Sequence, residues 1–221
     1  MTSGVWERTE TYLVDRLCVP DEDLIRARQV SREAGLPDIS VSELQGKQLS
    51  MLASIAGARR ILEVGCLGGY STLWLAKVLP ADGRMVTIDN NPLHVNAASA
   101  AIAGAGLADR VTVRLGNAVD ELDALAADGA EPFDFFFVDA DQHNNVAYFE
   151  RCLALARPGS VFVLDNVVRR GEVSDADLDN PAVAATREVL DLAGRSSALD
   201  AVVFQTVGSR GHDGMLVVRV R

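Results

Sequence analysis

The stretch Ile61-Leu62-Glu63-Val64-Gly65-Cys66-Leu67-Gly68-Gly69-Tyr70-Ser71 decides the fold. A short, mostly apolar run passes into a glycine-rich turn and then into a helix-forming segment. Glycines at such a turn permit positive φ and let a ligand approach the backbone closely. In an open parallel sheet, ligands bind beyond the carboxyl ends of strands at this kind of turn. Spacing narrows the guest. A dinucleotide fingerprint starting at Gly65 needs glycine where Leu67 and Tyr70 stand, and no Lys-Ser/Thr pair follows to make a phosphate loop. Neither a pyrophosphate nor a triphosphate suits the turn.

Outward from this stretch, short apolar runs alternate with helical segments. Strands are expected at 60–65, 84–89, 111–115, 133–139 and 160–165, with helices near 71–78, 93–105, 118–127 and 145–156. The run Phe135-Phe136-Phe137-Val138 fits a sheet covered on both faces. Strand–helix alternation implies a parallel, doubly wound α/β sheet. A helix at 181–193 and strands at 199–207 and 215–220 complete the chain. The turn around 208–214 is short, so the last two strands should pair antiparallel at one edge. Before the alternation, 5–17, 21–34 and 42–56 read as helices, punctuated by Pro20, Gly35 and Pro37. The expected architecture is a Rossmann-like, mostly parallel seven-stranded sheet with an antiparallel last strand. One domain spans 1–221, with helices over 1–58 and the core over 59–221.

A chain of 221 residues can bury a substantial core, and 48% hydrophobic with 24% charged residues is a globular balance. Lys+Arg 21 against Asp+Glu 31 leaves a net charge of −10, which argues against nucleic acid as a partner. Cys18, Cys66 and Cys152 form no CxxC pair, so neither a disulfide framework nor a thiolate metal site is supported. Residues 1–8 lack the apolar core of a signal peptide, and no apolar run has membrane-spanning length. The reading is a cytoplasmic protein with no membrane partner.

Two acidic positions flank the glycine turn. Asp89 ends the second strand, where a carboxylate can accept from two ribose hydroxyls. Glu63 sits inside the first strand, where an unpaired charge is costly, so it should accept hydrogen bonds from a ligand or from backbone N–H groups. This arrangement resembles that of S-adenosylmethionine methyltransferases. Further along the rim, one strand ends in Asp139 with Asp141 beyond it, and the next ends in Asp165-Asn166. Singly, such acids are solvated loop residues or strand-end caps. As a set of two carboxylates and an amide oxygen, they suit Mg²⁺. A cation coordinating two neighbouring hydroxyls would lower their pKa, near 10 for free phenols, and align the attacking oxygen.

At this point the chain resembles the metal-dependent O-methyltransferases of the catechol and caffeoyl-coenzyme A type, including small bacterial members. The resemblance runs from about Val41 to the C-terminus. It is carried by Gln45-Gly46-Lys47, Leu62-Glu63-Val64-Gly65, Gly69-Tyr70-Ser71-Thr72, Val138-Asp139-Ala140-Asp141 and Asp165-Asn166-Val167-Val168, with weaker matches at Gly171-Glu172-Val173, Thr206-Val207-Gly208 and Asp213-Gly214. It implies that Val41, Glu63, Gly65, Cys66, Ser71, Asp89, Ala118 and Asp139 line the S-adenosylmethionine site. It implies that Asp139, Asp165 and Asn166 hold Mg²⁺ or another divalent cation such as Mn²⁺ or Ca²⁺, and that a small hydroxylated aromatic is methylated. N-terminal helices in such enzymes often contact substrate and a second subunit, so a homodimer is expected.

One departure affects the chemistry. The family commonly reads Asp-Ala-Asp-Lys, the lysine serving as general base, whereas here Gln142 and His143 follow Asp141. A glutamine amide takes no proton at neutral pH. Three readings follow: the metal alone ionises the acceptor, His143 is the base, or activity is reduced to cofactor binding. A metal-independent methyltransferase on the same fold is the nearest rival. Among other residues, Arg169-Arg170 read as a solvated loop pair or as a face for an acidic substrate, and 172–180 as a lid or specificity loop. Trp6, Trp74, Tyr148 and Phe149 read as packing residues, and His94 and His212 have no evident partner.

Overall fold

The computed structural model describes residues 3–221; the part of the signal-peptide reading that concerns Met1 and Thr2 falls outside them. Three helices lead: α1 (Ser3–Leu17), α2 (Glu22–Glu33) and α3 (Glu43–Ile55). Asp21 caps α2 by accepting from the N–H groups of Asp23 and Leu24. Ser42 and Gln45 form a capping box at the start of α3, so Gln45 has a local structural use. The next residue, Gly46, is small of necessity: a Cβ there would lie 2.4 Å from the Trp74 ring.

The core runs β1 (Arg60–Val64), α4 (Tyr70–Ala76), β2 (Arg84–Asp89), α5 (Pro92–Gly104), β3 (Val111–Leu115), α6 (Ala118–Ala127), β4 (Phe133–Val138), α7 (Asn145–Ala154) and β5 (Ala156–Leu164). It closes with α8 (Pro181–Arg195), β6 (Leu199–Gly208) and β7 (Gly211–Val220). One seven-stranded sheet has the order β3-β2-β1-β4-β5-β7-β6. The first five strands pair in parallel, and β7 is antiparallel to both β5 and β6. Strand order reverses between β1 and β4, which opens a crevice at their carboxyl ends.

Every residue of β4 is buried. The period-two alternation of a strand sends Phe135 and Phe137 toward α2, α3, α4 and α5. Phe136 and Val138 go to the other face, against α6, α7 and α8. Each buried ring contributes about 2 kcal/mol through the apolar surface it removes from water. The two layers hold β4 rigidly, and with it the residue that follows, Asp139.

Two strands are longer than their apolar text. β5 begins at Ala156 because Ala156 pairs with Phe133, after which the register shifts so that Val161 faces Phe135. Ser160 closes that irregularity by donating to the Phe133 carbonyl at 2.7 Å and accepting from the Arg157 N–H at 3.0 Å. β7 begins at Gly211, so His212-Asp213-Gly214 belongs to the strand and only Ser209-Arg210 makes the turn. Among the described residues, no helix is long and apolar enough to cross a membrane.

Candidate active site

The carboxyl ends of β1, β2, β4 and β5 open on one rim. Gly65, just after β1, has φ +90, and a Cβ there would lie 2.2 Å from the Asp139 carbonyl oxygen. Only glycine lets the two strand ends come this close. Asp89, ending β2, accepts from the N–H groups of Cys66 at 3.2 Å and Leu67 at 3.1 Å. It thereby pins the turn as well as facing the crevice. His94, for which the sequence offers no partner, places Nδ1 3.1 Å from Asp89 Oδ1.

A cavity of about 490 Å³ lies over the turn, and its walls include Val41, Gly65, Cys66, Ser71, Asp89, Ala118 and Asp139. Glu63 is the exception in the expected cofactor set. It is wholly buried behind the wall and accepts from hydroxyls, where the sequence reading put a ligand or backbone N–H groups. Ser71 donates to its Oε1 at 2.6 Å, and Thr72 and Thr87 donate to its Oε2 at 2.5 and 2.6 Å. Burial nonetheless pushes the carboxyl up to about 7. Glu63 therefore touches the cavity only through Ser71.

A second cavity, about 420 Å³, adjoins the first, with Val41, Asp139 and Asn166 on the wall they share and Asp165 on its own side. Asp165 is 4% exposed, and among the described residues the only donor to its side chain is the Asn166 N–H, at 2.8 Å. Asn166 adopts φ +59, a turn that an asparagine tolerates better than most residues. Loss of solvent pushes the Asp139 carboxyl up to about 6, with the Asp213 carboxylate adding to the effect. Burial, then Asp139, then Asp213 raise Asp165 well above the carboxylate range. Among the described residues no Lys or Arg pairs with Asp139 or Asp165.

Among the described residues, no three His, Cys, Asp or Glu side chains converge as a metal cluster. The rim set has a different composition: two carboxylates without a cationic partner and one amide oxygen. Facing carboxylates in a desolvated site lack a counter-charge, and hard oxygen donors with that deficit fit a divalent cation. Their donor chemistry and their shared cavity are compatible with the expected group.

Asp213 is the residue that sequence reasoning missed. It lies in β7, yet its Oδ1 accepts from the N–H groups of Val168 at 3.1 Å and Arg169 at 3.0 Å, and from its own neighbour Gly214 at 2.9 Å. That contact fastens the segment after Asp165-Asn166. The Asp213-Gly214 dipeptide was visible, but nothing local tied it to a loop so distant in the chain.

Gln142 lines the first cavity and donates to Asn166 Oδ1 at 3.4 Å. His143 is exposed and lies on none of the cavity walls described, so the structure does not bring it to the rim. Asp141 spends its oxygens on the Tyr148 hydroxyl at 2.5 Å and the Asn144 amide at 2.6 Å. Tyr148, read as packing, is both a core residue and a wall of the first cavity.

The O-methyltransferase family model matches residues 19–220. A Niastella koreensis protein named catechol O-methyltransferase is 42% identical over 221 residues, covering 100% of each chain. A Mycobacterium tuberculosis protein of the same name is 45% identical over 212 residues, covering 96% of this chain and 94% of that protein. The crystal structure of the O-methyltransferase from Bacillus cereus in complex with SAH superposes with a TM-score of 0.96 at 45% identity, covering 99% of both chains.

Proposed function

The chain belongs to the O-methyltransferase family and is an S-adenosylmethionine-dependent O-methyltransferase, and from that premise we propose that it methylates one hydroxyl of a small vicinal-dihydroxy aromatic with a divalent cation held by Asp139, Asp165 and Asn166. The observation that carries this reading is the pair of carboxylates without a counter-charge, Asp139 on the wall shared by two adjoining cavities and Asp165 beside it in the second. The larger cavity takes S-adenosylmethionine: Asp89 faces the ribose hydroxyls, Ala118 the adenine, and Gly65, Cys66, Ser71 and Val41 close around the remainder. Glu63 acts from behind this wall by fixing Ser71.

The smaller cavity takes the acceptor. Asp139 lines both spaces, so the carboxylate that anchors the acceptor's cation also adjoins the methyl donor. A bound Mg²⁺, Mn²⁺ or Ca²⁺ supplies acidification of the acceptor hydroxyls, which ionise near pH 10 when free. Gln142 is a positioning residue in this scheme: its amide N–H orients Asn166 Oδ1 and takes no proton. The exposure of His143 removes the support for it as the base.

Alignment of donor and nucleophile supplies most of what the protein must add, since the sulfonium methyl is already electrophilic. Exposed apolar side chains on α1 (Tyr12, Leu13, Leu17) and on the edge strand β6 (Val202, Phe204, Val207) support a homodimer. A single domain over 1–221 and a cytoplasmic location complete the reading. The test is methylation of a catechol panel with and without chelator. Catechols should react only with metal present, and matching single-hydroxyl compounds hardly at all. Equal reaction of a monophenol, untouched by chelation, would sink the metal and the substrate class together.

A further inference from the structure

Beyond the acceptor cavity lies a third space, about 380 Å³, which shares Asn166, Arg210 and Asp213 with it. This outer space carries Arg169 and Arg170, the pair that sequence reading left between a solvated loop and a substrate face. We propose that it is a carboxylate subsite, so that the acceptor is an acidic dihydroxy-aromatic whose carboxylate is bound by Arg169 and Arg170. The inference rests on the acceptor reading above and narrows it.

The arginines are presented by a built loop. Arg169, Arg170 and Gly171 have φ +52, +57 and +95 in succession. Two adjacent long side chains in the left-handed region are uncommon, and such backbones persist only where their surroundings impose them. Here Asp213 holds the Val168 and Arg169 N–H groups. From the other side, Arg187 donates to the carbonyls of Val173 at 2.9 Å and Glu172 at 3.1 Å. The loop is clamped at both ends while Arg170 is left without a carboxylate partner and Arg169 keeps only a 3.6 Å ion pair to Glu172.

The two arginines differ. Arg169 Nε is buried and has no hydrogen-bond partner; Glu172 Oε2 is 3.6 Å away, beyond hydrogen-bonding reach. Arg170 is exposed and pairs with no carboxylate among the described residues. The third arginine of this space, Arg210, is committed to Asp38 at 2.9 Å. Of the acidic residues present, Asp213 directs Oδ1 at backbone N–H groups and Glu172 pairs at 3.6 Å with Arg169, so neither makes an ion pair with Arg170. In a chain of net charge −10, an unpaired Arg170 guanidinium beside an Arg169 whose Nε makes no hydrogen bond, next to the acceptor cavity, calls for an anion supplied from outside. Guanidinium forks match a planar carboxylate well.

The test compares kcat/KM for 3,4-dihydroxybenzoic acid and 3,4-dihydroxybenzamide, with S-adenosylmethionine and Mg²⁺ present. The acid should be favoured about tenfold or more, as a charge-assisted contact implies. The two substituents also pull differently on the ring, so the variants decide. The acid-to-amide ratio should collapse toward one in Arg170→Gln, invert in Arg170→Glu, and rise in Glu172→Gln, which frees Arg169. Arg170 is exposed, and a thermal melt of each variant verifies folding. Equal kcat/KM for acid and amide in the native protein overturns the inference, as does a preference that survives both Arg169→Gln and Arg170→Gln. Turnover of plain catechol without turnover of the acid also defeats it while leaving the parent reading standing. Failure of catechol itself brings down both.

Discussion

At the start of β4, Asp134 accepts from the Arg59 and Arg60 N–H groups at 2.8 and 2.9 Å and from the Arg157 guanidinium at 2.6 and 2.9 Å. Just past the other end of the same strand, Asp139 has no donor among the described residues and faces Asp213 and Asp165. Those donors hold Asp134 below the ordinary carboxylate range despite its burial, whereas burial and a like charge push Asp139 up to about 6. One end of the sheet satisfies its charges internally and contributes stability. The other leaves them unsatisfied, the cost of burying like charges without a counter-charge.

This contrast can be broken by substitution. Asp139→Asn should lower kcat/KM for a catechol about a thousandfold, about 4 kcal/mol of transition-state stabilisation. The melting temperature of the ligand-free protein should hold or rise, because one of two opposed carboxylates is gone. A variant that melts earlier and keeps its turnover would reverse the roles assigned to the two ends. Asp134→Ala should do the opposite: a loss of about 3 kcal/mol in denaturant unfolding, from two orphaned N–H groups and an unpaired arginine, with kcat of the folded protein within about twofold.

Glu63 sharpens the comparison, since it is a buried carboxyl that has donors and is still raised, to about 7. A carboxyl held above its ordinary 4.5 favours the protonated form in the fold. Its stabilisation is complete below about pH 4.5 and is lost as the pH rises through 7, at most about 3 kcal/mol. Glu63→Gln should flatten that part of the stability–pH curve; identical curves for both proteins would show that the group titrates normally. The smallest effect belongs to His143→Ala, for which turnover should change less than about twofold near neutral pH. A large loss would return the histidine to the rim.

How far each part was legible depends on how local its causes are. The strands β1 to β4 announce themselves through apolar runs that must be covered on both faces, and Gly65 through a turn that no other residue can make. Asp89, Asp139, Asp165 and Asn166 were legible because a parallel sheet delivers its strand ends to one edge. Less legible were inferences from polarity and adjacency. His212-Asp213-Gly214 reads as turn text, but the hairpin needs only Ser209-Arg210, with Gly211 at φ +98 beside them. Asp213 then acts on amides that only the fold brings near. His143 adjoins Gln142 in sequence, but the 3-10 turn over Gln142–Asn144 leaves it in solvent. Sequence spacing says nothing about which way a single turn faces.

The wall formed by Asp139 between the two cavities has a thermodynamic consequence. Occupants on either side would meet one carboxylate, so any effect of filling one space on the other would be a coupling free energy through Asp139. Were the proposed cation to bind there, linkage would make any influence mutual: whatever factor the methyl donor applied to the cation's affinity, the cation would apply to the donor's. Any coupling of the two binding equilibria would pass through that one side chain.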